Sequence, residues 1–328
     1  MTSNKHFKQL VRARMAATGA SYTAASEQVR AAGTDVRLDD PVVADVHGKH
    51  GQTVVFTPDG TRVLSGGQDA RVAILAAATG EVEGELTGHD KVVNAVAIAA
   101  DANTVASVSS DRTLRLWDLS RRSETAVLTG HRDAVVALDL ATDGGTAITG
   151  GYDGRIRVWD VREQTCRAEF RSDLKRIVAV ASTPDGARFA ASGQGPEVEV
   201  REVADGAVIA RLDTGSPGVI GLAVAADGSM LASAGYDGTV KLWDADSWEL
   251  VRDLEAGERA NAVAFSRSGQ LLAAAAKGRI TLWSFDQDDP VAQTDLPIAG
   301  VYALAISPDG RRLAQTGADG RVRIWTLR

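Results

Sequence analysis

The sequence has little cysteine and no long apolar segment, and both shortages narrow the kind of protein it can be. Cys166 is the single cysteine among 328 residues, so the chain can form no internal disulfide and no cysteine-based zinc cluster. This composition is typical of a reducing compartment, and we predict a cytoplasmic protein. No apolar run reaches the roughly 18 residues that a membrane-spanning helix requires, and no hydrophobic segment follows the first basic residues. We therefore expect neither a membrane span nor export.

Positive charge is also in short supply. The chain has 36 Lys and Arg residues against 43 Asp and Glu residues, and its formal net charge is −7. An acidic balance disfavours nonspecific binding of nucleic acid by the bulk of the protein. Hydrophobic residues make up 44% of the chain, which is enough to build a large core and excludes a wholly disordered chain.

The motifs of common enzyme and cofactor sites are missing as well. The sequence contains no Walker-type phosphate loop, no glycine-rich dinucleotide turn and no nucleophile elbow. His47 and His50 lie three residues apart, which is weak support for a metal site. The acidic turn at Asp286, Asp288 and Asp289 lacks the alternating ligand spacing of a calcium loop. We therefore predict no catalytic residue, no cofactor and no bound metal.

What the sequence does contain is an internal repeat. A turn that ends in glycine, or in the residue aligned with it, recurs at intervals of 41 or 42 residues, at Gly60, Ala102, Gly144, Gly186, Gly228, Gly269 and Gly310. Tryptophan is a second marker, in the same place of five repeats, at Trp117, Trp159, Trp243, Trp283 and Trp325. Leu75 and Arg201 take that place in the first and fourth repeats. Two independent markers that stay in step indicate seven structural repeats.

Each repeat has the pattern of four short strands separated by Asp, Gly and Ser residues. In the second repeat the predicted strands cover residues 92–98, 105–109, 114–119 and 125–128. Short strands joined by turn residues predict antiparallel meanders rather than βαβ units. Seven four-stranded sheets at this period predict an all-β fold, a seven-bladed β-propeller over residues 41–328.

The last blade is predicted to contain both ends of the propeller. The final repeat supplies only three strands, at residues 301–306, 312–316 and 321–327. The mostly apolar residues 42–46, after Pro41, fit its missing outermost strand. Pairing of the two would close the ring and leave no open edge.

Residues 1–40 are predicted to form a separate, helical N-terminal arm. Phe7, Leu10, Val11 and Met15 repeat at helical spacing, and Ser21 fits the cap of a second helix. The arm carries six basic and four acidic residues, a net charge of +2, so residues 41–328 carry −9. Two interpretations stay open: a helical hairpin on the propeller's own acidic rim, or a basic docking helix for a partner, an anionic lipid or nucleic acid.

Two kinds of dipeptide mark several repeats and carry a family resemblance. Gly-His occurs at residues 88–89 and 130–131, and Trp-Asp at 117–118, 159–160 and 243–244. These pairs resemble the signature dipeptides of the WD-repeat family, and the resemblance covers residues 41–328. It implies a seven-bladed propeller and, in each complete blade, a hydrogen-bonded tetrad of His, Ser or Thr, Asp and Trp. The implied tetrads are His89, Ser107, Asp111 and Trp117 in the second repeat, and His131, Thr149, Asp153 and Trp159 in the third.

The other repeats depart from this pattern. The first keeps His47, Ser65 and Asp69 without the Trp, and the fifth keeps Ser233, Asp237 and Trp243 with Gly215 at the His position. The fourth and sixth have Gly195 and Lys277 at the Asp position, and the seventh has Pro297 at the His position. His, carboxylate and hydroxyl together also suggest a catalytic triad. Because the same group recurs at the same phase in adjacent repeats, we interpret the tetrads as structural.

The loops at one end of the predicted propeller offer a candidate partner surface. In WD-repeat proteins, partner peptides commonly lie over the loops that enter each inner strand and over the second turn of each blade. Three of the four tyrosines and two arginines fall there, and both residue types often anchor interfaces. The predicted partner-binding residues are Tyr152, Tyr236, Tyr302, Arg176, Arg259, His50, Gln68, Asn94, Gln194 and Asn261.

These observations predict a monomeric, non-enzymatic scaffold that binds a protein or peptide partner on this face. Arg176 and Arg259 are expected to pair with an acidic or phosphorylated side chain whose stem packs on tyrosine rings. Two alternatives belong to other classes. One is an enzyme or small-ligand binder that uses the central channel. The other is association with nucleic acid or an anionic surface through the basic arm.

Overall fold

The computed structural model describes residues 36–141, 144–285, 287, 289–298 and 300–328, and residues 1–35 of the predicted helical arm (residues 1–40) lie outside them. The described residues form seven four-stranded antiparallel sheets, here called blades 1 to 7 in chain order. In blades 1 to 6 the four strands follow one another in sequence from the innermost strand outward. Blade 1 comprises β2 (Gly51–Phe56), β3 (Arg62–Gly67), β4 (Arg71–Ala76) and β5 (Val82–Thr87). Blade 2 comprises β6 (Val93–Ile98), β7 (Thr104–Ser109), β8 (Leu114–Asp118) and β9 (Ser123–Leu128). Blade 3 comprises β10 (Val135–Leu140), β11 (Thr146–Gly151), β12 (Arg155–Asp160) and β13 (Thr165–Arg171).

The remaining blades follow the same order. Blade 4 comprises β14 (Ala179–Ser182), β15 (Arg188–Ser192), β16 (Glu197–Glu202) and β17 (Val208–Asp213). Blade 5 comprises β18 (Val219–Val224), β19 (Met230–Gly235), β20 (Thr239–Asp244) and β21 (Leu250–Glu255). Blade 6 comprises β22 (Ala262–Phe265), β23 (Leu271–Ala276), β24 (Arg279–Ser284) and β25 (Pro290–Asp295). Blade 7 comprises β26 (Val301–Ile306), β27 (Arg312–Gly317), β28 (Arg321–Thr326) and, outermost, β1 (Val42–Asp45). The predicted seven-bladed all-β propeller is thus confirmed.

The ring closes where the start of the described chain meets its end. β1 runs antiparallel to β28 with four residue pairs, from Val42 opposite Ile324 to Asp45 opposite Arg321. The segment before β1 continues the contact, because Arg37 and Arg328 exchange two backbone hydrogen bonds. Residues 36–39, which the sequence grouped with the arm, therefore belong to the edge of blade 7. Within the described residues, no helix is long and apolar enough to cross a membrane.

The core lies between adjacent blades rather than within any one of them. Trp117 of blade 2 is 2% exposed and shares a buried cluster with Leu64 and Ile74 of blade 1. Trp159 of blade 3 likewise packs into a cluster with Val108 of blade 2. Each large side chain therefore buries apolar surface that two blades contribute, which couples the blades energetically.

Most blades have a β-bulge in their innermost strand pair. In five blades the innermost pair has one extra residue, at Gln52, Asn94, Val136, Ile220 and Tyr302. Since a bulged residue has no cross-strand partner, its side chain can be aimed away from the ladder. These bulges lie at one end of the propeller, and four of the five residues, Gln52, Val136, Ile220 and Tyr302, line the site described next.

Candidate functional site

The polar tetrads were the first candidates for chemistry, and the structure shows how they are built. Trp117 Nε1 donates a hydrogen bond to Ser107 Oγ (2.8 Å), and that hydroxyl lies 2.8 Å from His89 Nε2. His89 Nδ1 lies 2.7 Å from Asp111 Oδ2. Burial lowers the pKa of His89, outweighing the carboxylate that raises it, so the ring is neutral at pH 7 and donates from Nδ1. The His89 and Asp111 side chains are 1% and 7% exposed, so these contacts lie largely inside the blade.

Blade 3 repeats the same chain of contacts. Trp159 Nε1 donates to Thr149 Oγ1 (2.8 Å), which lies 2.8 Å from His131 Nε2. His131 Nδ1 lies 3.0 Å from Asp153 Oδ2, and the backbone N–H of Arg132 also donates to this carboxylate. Burial raises the pKa of Asp153, but the hydrogen bonds from His131 and Arg132 outweigh it and hold this pKa at about 2. The carboxylate ties the loop that enters the blade to the turn between its second and third strands.

The pKa of Asp153 leads to a pH-dependent prediction. A carboxyl whose pKa is lower in the folded chain than its usual 3.8 stabilises the fold above about pH 4, and loses this contribution as the pH falls toward 2. We expect Asp153→Asn to lower the free energy of unfolding at pH 7 by about 2 kcal/mol, the typical cost of a lost charge-assisted hydrogen bond. The difference from wild type should shrink as the pH falls from 4 to 2. Urea unfolding at several pH values measures it; a difference independent of pH would contradict the assignment.

Blade 1 shows what happens when the tryptophan is missing. His47 still contacts Asp69 (2.9 Å) and Ser65 Oγ (3.0 Å), and Leu75 fills the tryptophan position as a fully buried side chain. Both ring nitrogens of His47 are thus occupied by its own blade. His50 points elsewhere, to Gln68 and Tyr302. No cluster of three metal-ligating side chains occurs in the described part of the chain, and of the acidic turn only Asp289 is described.

The candidate partner site is a cavity of about 950 Å³ where the central channel opens, here called the upper mouth. It lies on the face formed by the loops that enter the innermost strands and by the second turn of each blade. The sequence-predicted residues that line it are Tyr152, Tyr236, Tyr302, Arg259 and Asn261. The structure thus brings three tyrosines from blades 3, 5 and 7 around one opening.

Two arginines lie on tyrosine rings at this mouth. The Arg176 guanidinium is 4.9 Å from the centre of the Tyr152 ring, and that of Arg259 is 4.4 Å from the centre of the Tyr236 ring. In both pairs the arginine comes from the blade after the tyrosine. Neither guanidinium forms an ion pair with a carboxylate of the described residues. Stacking therefore holds these cations in place while leaving their hydrogen-bond donors available.

The remaining predicted residues, taken together with Asn261, fall into three groups. His50 meets Tyr302 edge to face, with ring centres 5.7 Å apart, and Gln68 Nε2 donates to His50 Nδ1 (3.2 Å), so both support the rim beside Tyr302. Asn94 and Asn261 donate from their amides to backbone carbonyls of the next blade, at Val135 and Val301, each at 2.8 Å. These asparagines join neighbouring blades. Gln194 is exposed on its turn and is not among the residues that line the cavity.

Sequence reasoning missed several lining residues. The floor of the mouth is apolar on one side, where it consists of Val136, Val178 and Ile220 from blades 3, 4 and 5. These residues follow Gln52 of blade 1 in the sequence at multiples of 42 residues, so they align with it in the repeat. The repeat period alone could therefore have identified them as lining residues. Lys277, noted only as a lost tetrad position, also lines the mouth and pairs with Glu258 at 3.1 Å.

Comparison with known proteins agrees with the repeat fold. The family model described as "WD domain, G-beta repeat" matches residues 80–118, 122–160, 207–244 and 297–326. The chain is 36% identical over 80 residues to WD repeat-containing protein 1 of Xenopus tropicalis and 32% identical over 80 residues to that of Bos taurus. Each match covers 24% of this chain and 13% of the relative. Pre-mRNA-processing factor 19 homolog 2 of Arabidopsis thaliana is 34% identical over 55 residues, 17% of this chain and 10% of that protein.

Proposed function

Because this chain is a WD-repeat β-propeller, a fold typical of protein-interaction scaffolds, we propose that it is a non-enzymatic adaptor that binds a protein or peptide partner at the upper mouth. The observation that carries the proposal is the convergence of Tyr152, Tyr236 and Tyr302 on one cavity, with a stacked arginine beside two of them. Tyrosine and arginine are enriched among the residues that dominate binding energy at interfaces.

The two sides of the mouth suit different parts of a partner. Val136, Val178 and Ile220 form an apolar floor between Tyr152 and Tyr236, which fits an aliphatic or aromatic anchor side chain. Arg176 and Arg259 stack on Tyr152 and Tyr236, and their guanidinium groups form no ion pair with the described residues, which fits a carboxylate or phosphate next to the anchor. The partner is thus a segment with an apolar anchor and an adjacent anionic group.

The test compares the wild-type chain with the double variant Tyr152→Ala, Tyr236→Ala in affinity capture with quantitative mass spectrometry. Removing two anchors of about 2 kcal/mol each should weaken binding of a specific partner by roughly three orders of magnitude, so its capture should fall sharply. The two rings are 38% and 42% exposed, so the melting temperature should change little.

A matched control uses exposed apolar residues far from the mouth. Ile209 and Leu250, on the outermost strands of blades 4 and 5, are 41% and 49% exposed. The double variant Ile209→Ala, Leu250→Ala should capture the partner as the wild type does. Full capture by the tyrosine variant, or equal loss in both variants, would refute the assignment of this face.

A further inference from the structure

The opposite end of the central channel has a chemistry of its own. There a cavity of about 530 Å³, here called the lower mouth, is surrounded by the last residue of each innermost strand. Six of these seven residues are large and apolar, and one is a serine: Phe56, Ile98, Leu140, Ser182, Val224, Phe265 and Ile306. The wall at blade 4 is therefore both smaller and more polar than elsewhere.

A carboxylate of blade 3 faces this polar gap. Asp139 lines the lower mouth, and its Oδ2 accepts hydrogen bonds from the backbone N–H (2.6 Å) and the hydroxyl (2.5 Å) of Ser182. Its Oδ1 accepts one from the Leu140 N–H (2.9 Å). Burial raises the pKa of Asp139 above its usual value, against the effect of these bonds. No cation of the described residues lies within ion-pair distance of it.

The architecture does not require this charge. At the register of Asp139 the other six blades have only small or branched apolar side chains: Val55, Ala97, Ala181, Ala223, Ala264 and Ala305. At these six positions adjacent blades pack together without a carboxylate. A half-buried carboxyl group with no counter-ion among the described residues costs stability, so a role for it beyond joining blades 3 and 4 is expected.

We propose that the lower mouth is a binding site for an alkylammonium group, with Asp139 as its counter-ion. The carboxylate oxygens retain lone pairs for a donor, and the Ser182 hydroxyl offers another acceptor beside them. The apolar ring, with Phe56 and Phe265, fits the alkyl part of such a ligand. The cavity lies within the size range of small-molecule sites. This site is at the other end of the channel from the upper mouth, and the proposal does not depend on the adaptor function.

The experiment titrates n-hexylammonium chloride into the full-length protein and follows binding by calorimetry and saturation-transfer NMR. The comparison variant is Asp139→Asn, whose amide oxygen still accepts from Ser182 while the charge is gone. We expect the variant to bind n-hexylammonium at least tenfold more weakly. Neutral n-hexanol, matched in chain length, should bind both proteins equally. Equal affinity of both proteins for the cation, or no binding to the wild type, would overturn the proposal.

Two further arms complete the test. If Asp139→Asn does not fold, the wild type is titrated as a function of pH. The other charged side chain that lines the mouth is the exposed Arg267. Binding of n-hexylammonium should weaken as Asp139 is protonated at low pH, while binding of n-hexanol stays constant. A pH-independent affinity would overturn the proposal. Nα-acetyl-lysine methylamide presents the same alkylammonium group on a peptide unit. If it binds more tightly than n-hexylammonium, the natural ligand is a lysine side chain of a protein. If it binds more weakly, the natural ligand is a free amine.

Discussion

Replacing Trp159 by alanine is expected to lower the free energy of unfolding by about 3–5 kcal/mol, the usual range for a large aromatic side chain removed from a core. Trp159 is 2% exposed and packs into the cluster between blades 2 and 3. Its Nε1 also donates to Thr149 Oγ1, so the variant loses packing and a buried hydrogen bond together. Equilibrium unfolding in urea, followed by circular dichroism, measures the change.

Two variants separate these contributions. Trp159→Phe keeps most of the volume and removes the donor, so it should cost about 1–2 kcal/mol. Trp248 is half-buried, and Trp248→Ala removes a tryptophan outside the tetrads, for which we expect a clearly smaller loss than for Trp159→Ala. If Trp248→Ala destabilises the protein as much as Trp159→Ala, the tetrad position has no special role in stability.

Blade 4 shows that the tetrad is one solution among others. Arg201 takes the tryptophan position and is buried, and its guanidinium pairs with the fully buried Glu199 at 2.7 Å. Glu199 also accepts from Ser172 Oγ (2.8 Å), and Arg201 donates to the backbone oxygen of Gly206 (2.9 Å). In this blade a buried ion pair, rather than a tetrad, connects the loop that enters the blade to its third strand. Each of the two charges has an oppositely charged partner and a further hydrogen bond, which offsets the cost of burying it.

The sequence was sufficient to predict the blades because two markers, a turn glycine and a tryptophan, recur at a nearly constant interval. It also predicted the closing strand, since the last repeat has only three strands and the mostly apolar residues 42–46 fit the missing fourth one. The apolar floor of the upper mouth was missed because we selected residues by polarity. Val136 and Val178 look like ordinary core residues until they are aligned with Gln52, which shows that they share one register.

The contacts between loops could not have been predicted in the same way. Arg259 has a φ of +50° and Lys175, next to Arg176, a φ of +67°. A left-handed backbone at a residue other than glycine is set by the surrounding loop rather than by local preference, so no sequence pattern indicates it. These two loop conformations accompany the placement of the arginines on Tyr152 and Tyr236. Asp139 escaped attention for another reason, because a single acidic residue in an apolar strand carries no motif.

The other large effect is expected at the junction between the two ends of the propeller. Deleting residues 42–46 removes β1 and leaves β28 without its outer neighbour. The protein loses about four ladder hydrogen bonds, each worth about 1 kcal/mol, and the burial of Val46, which is 5% exposed. We therefore expect the free energy of unfolding to fall by roughly 5 kcal/mol, with a melting temperature lower by about 10 °C or more.

A replacement of the same length separates backbone pairing from side-chain packing. With Gly and Ser residues in place of 42–46, the backbone can still pair with β28, but Val42, Ala44 and Val46 no longer pack against the blade 1 and blade 7 interior. An intermediate loss of stability is expected for this variant. The deletion should also associate at high concentration in size-exclusion chromatography, because an unpaired strand edge is a template for another chain. If the deletion leaves the melting temperature unchanged, β1 does not close the ring in solution, and the stability of the propeller must then come from the contacts between blades alone.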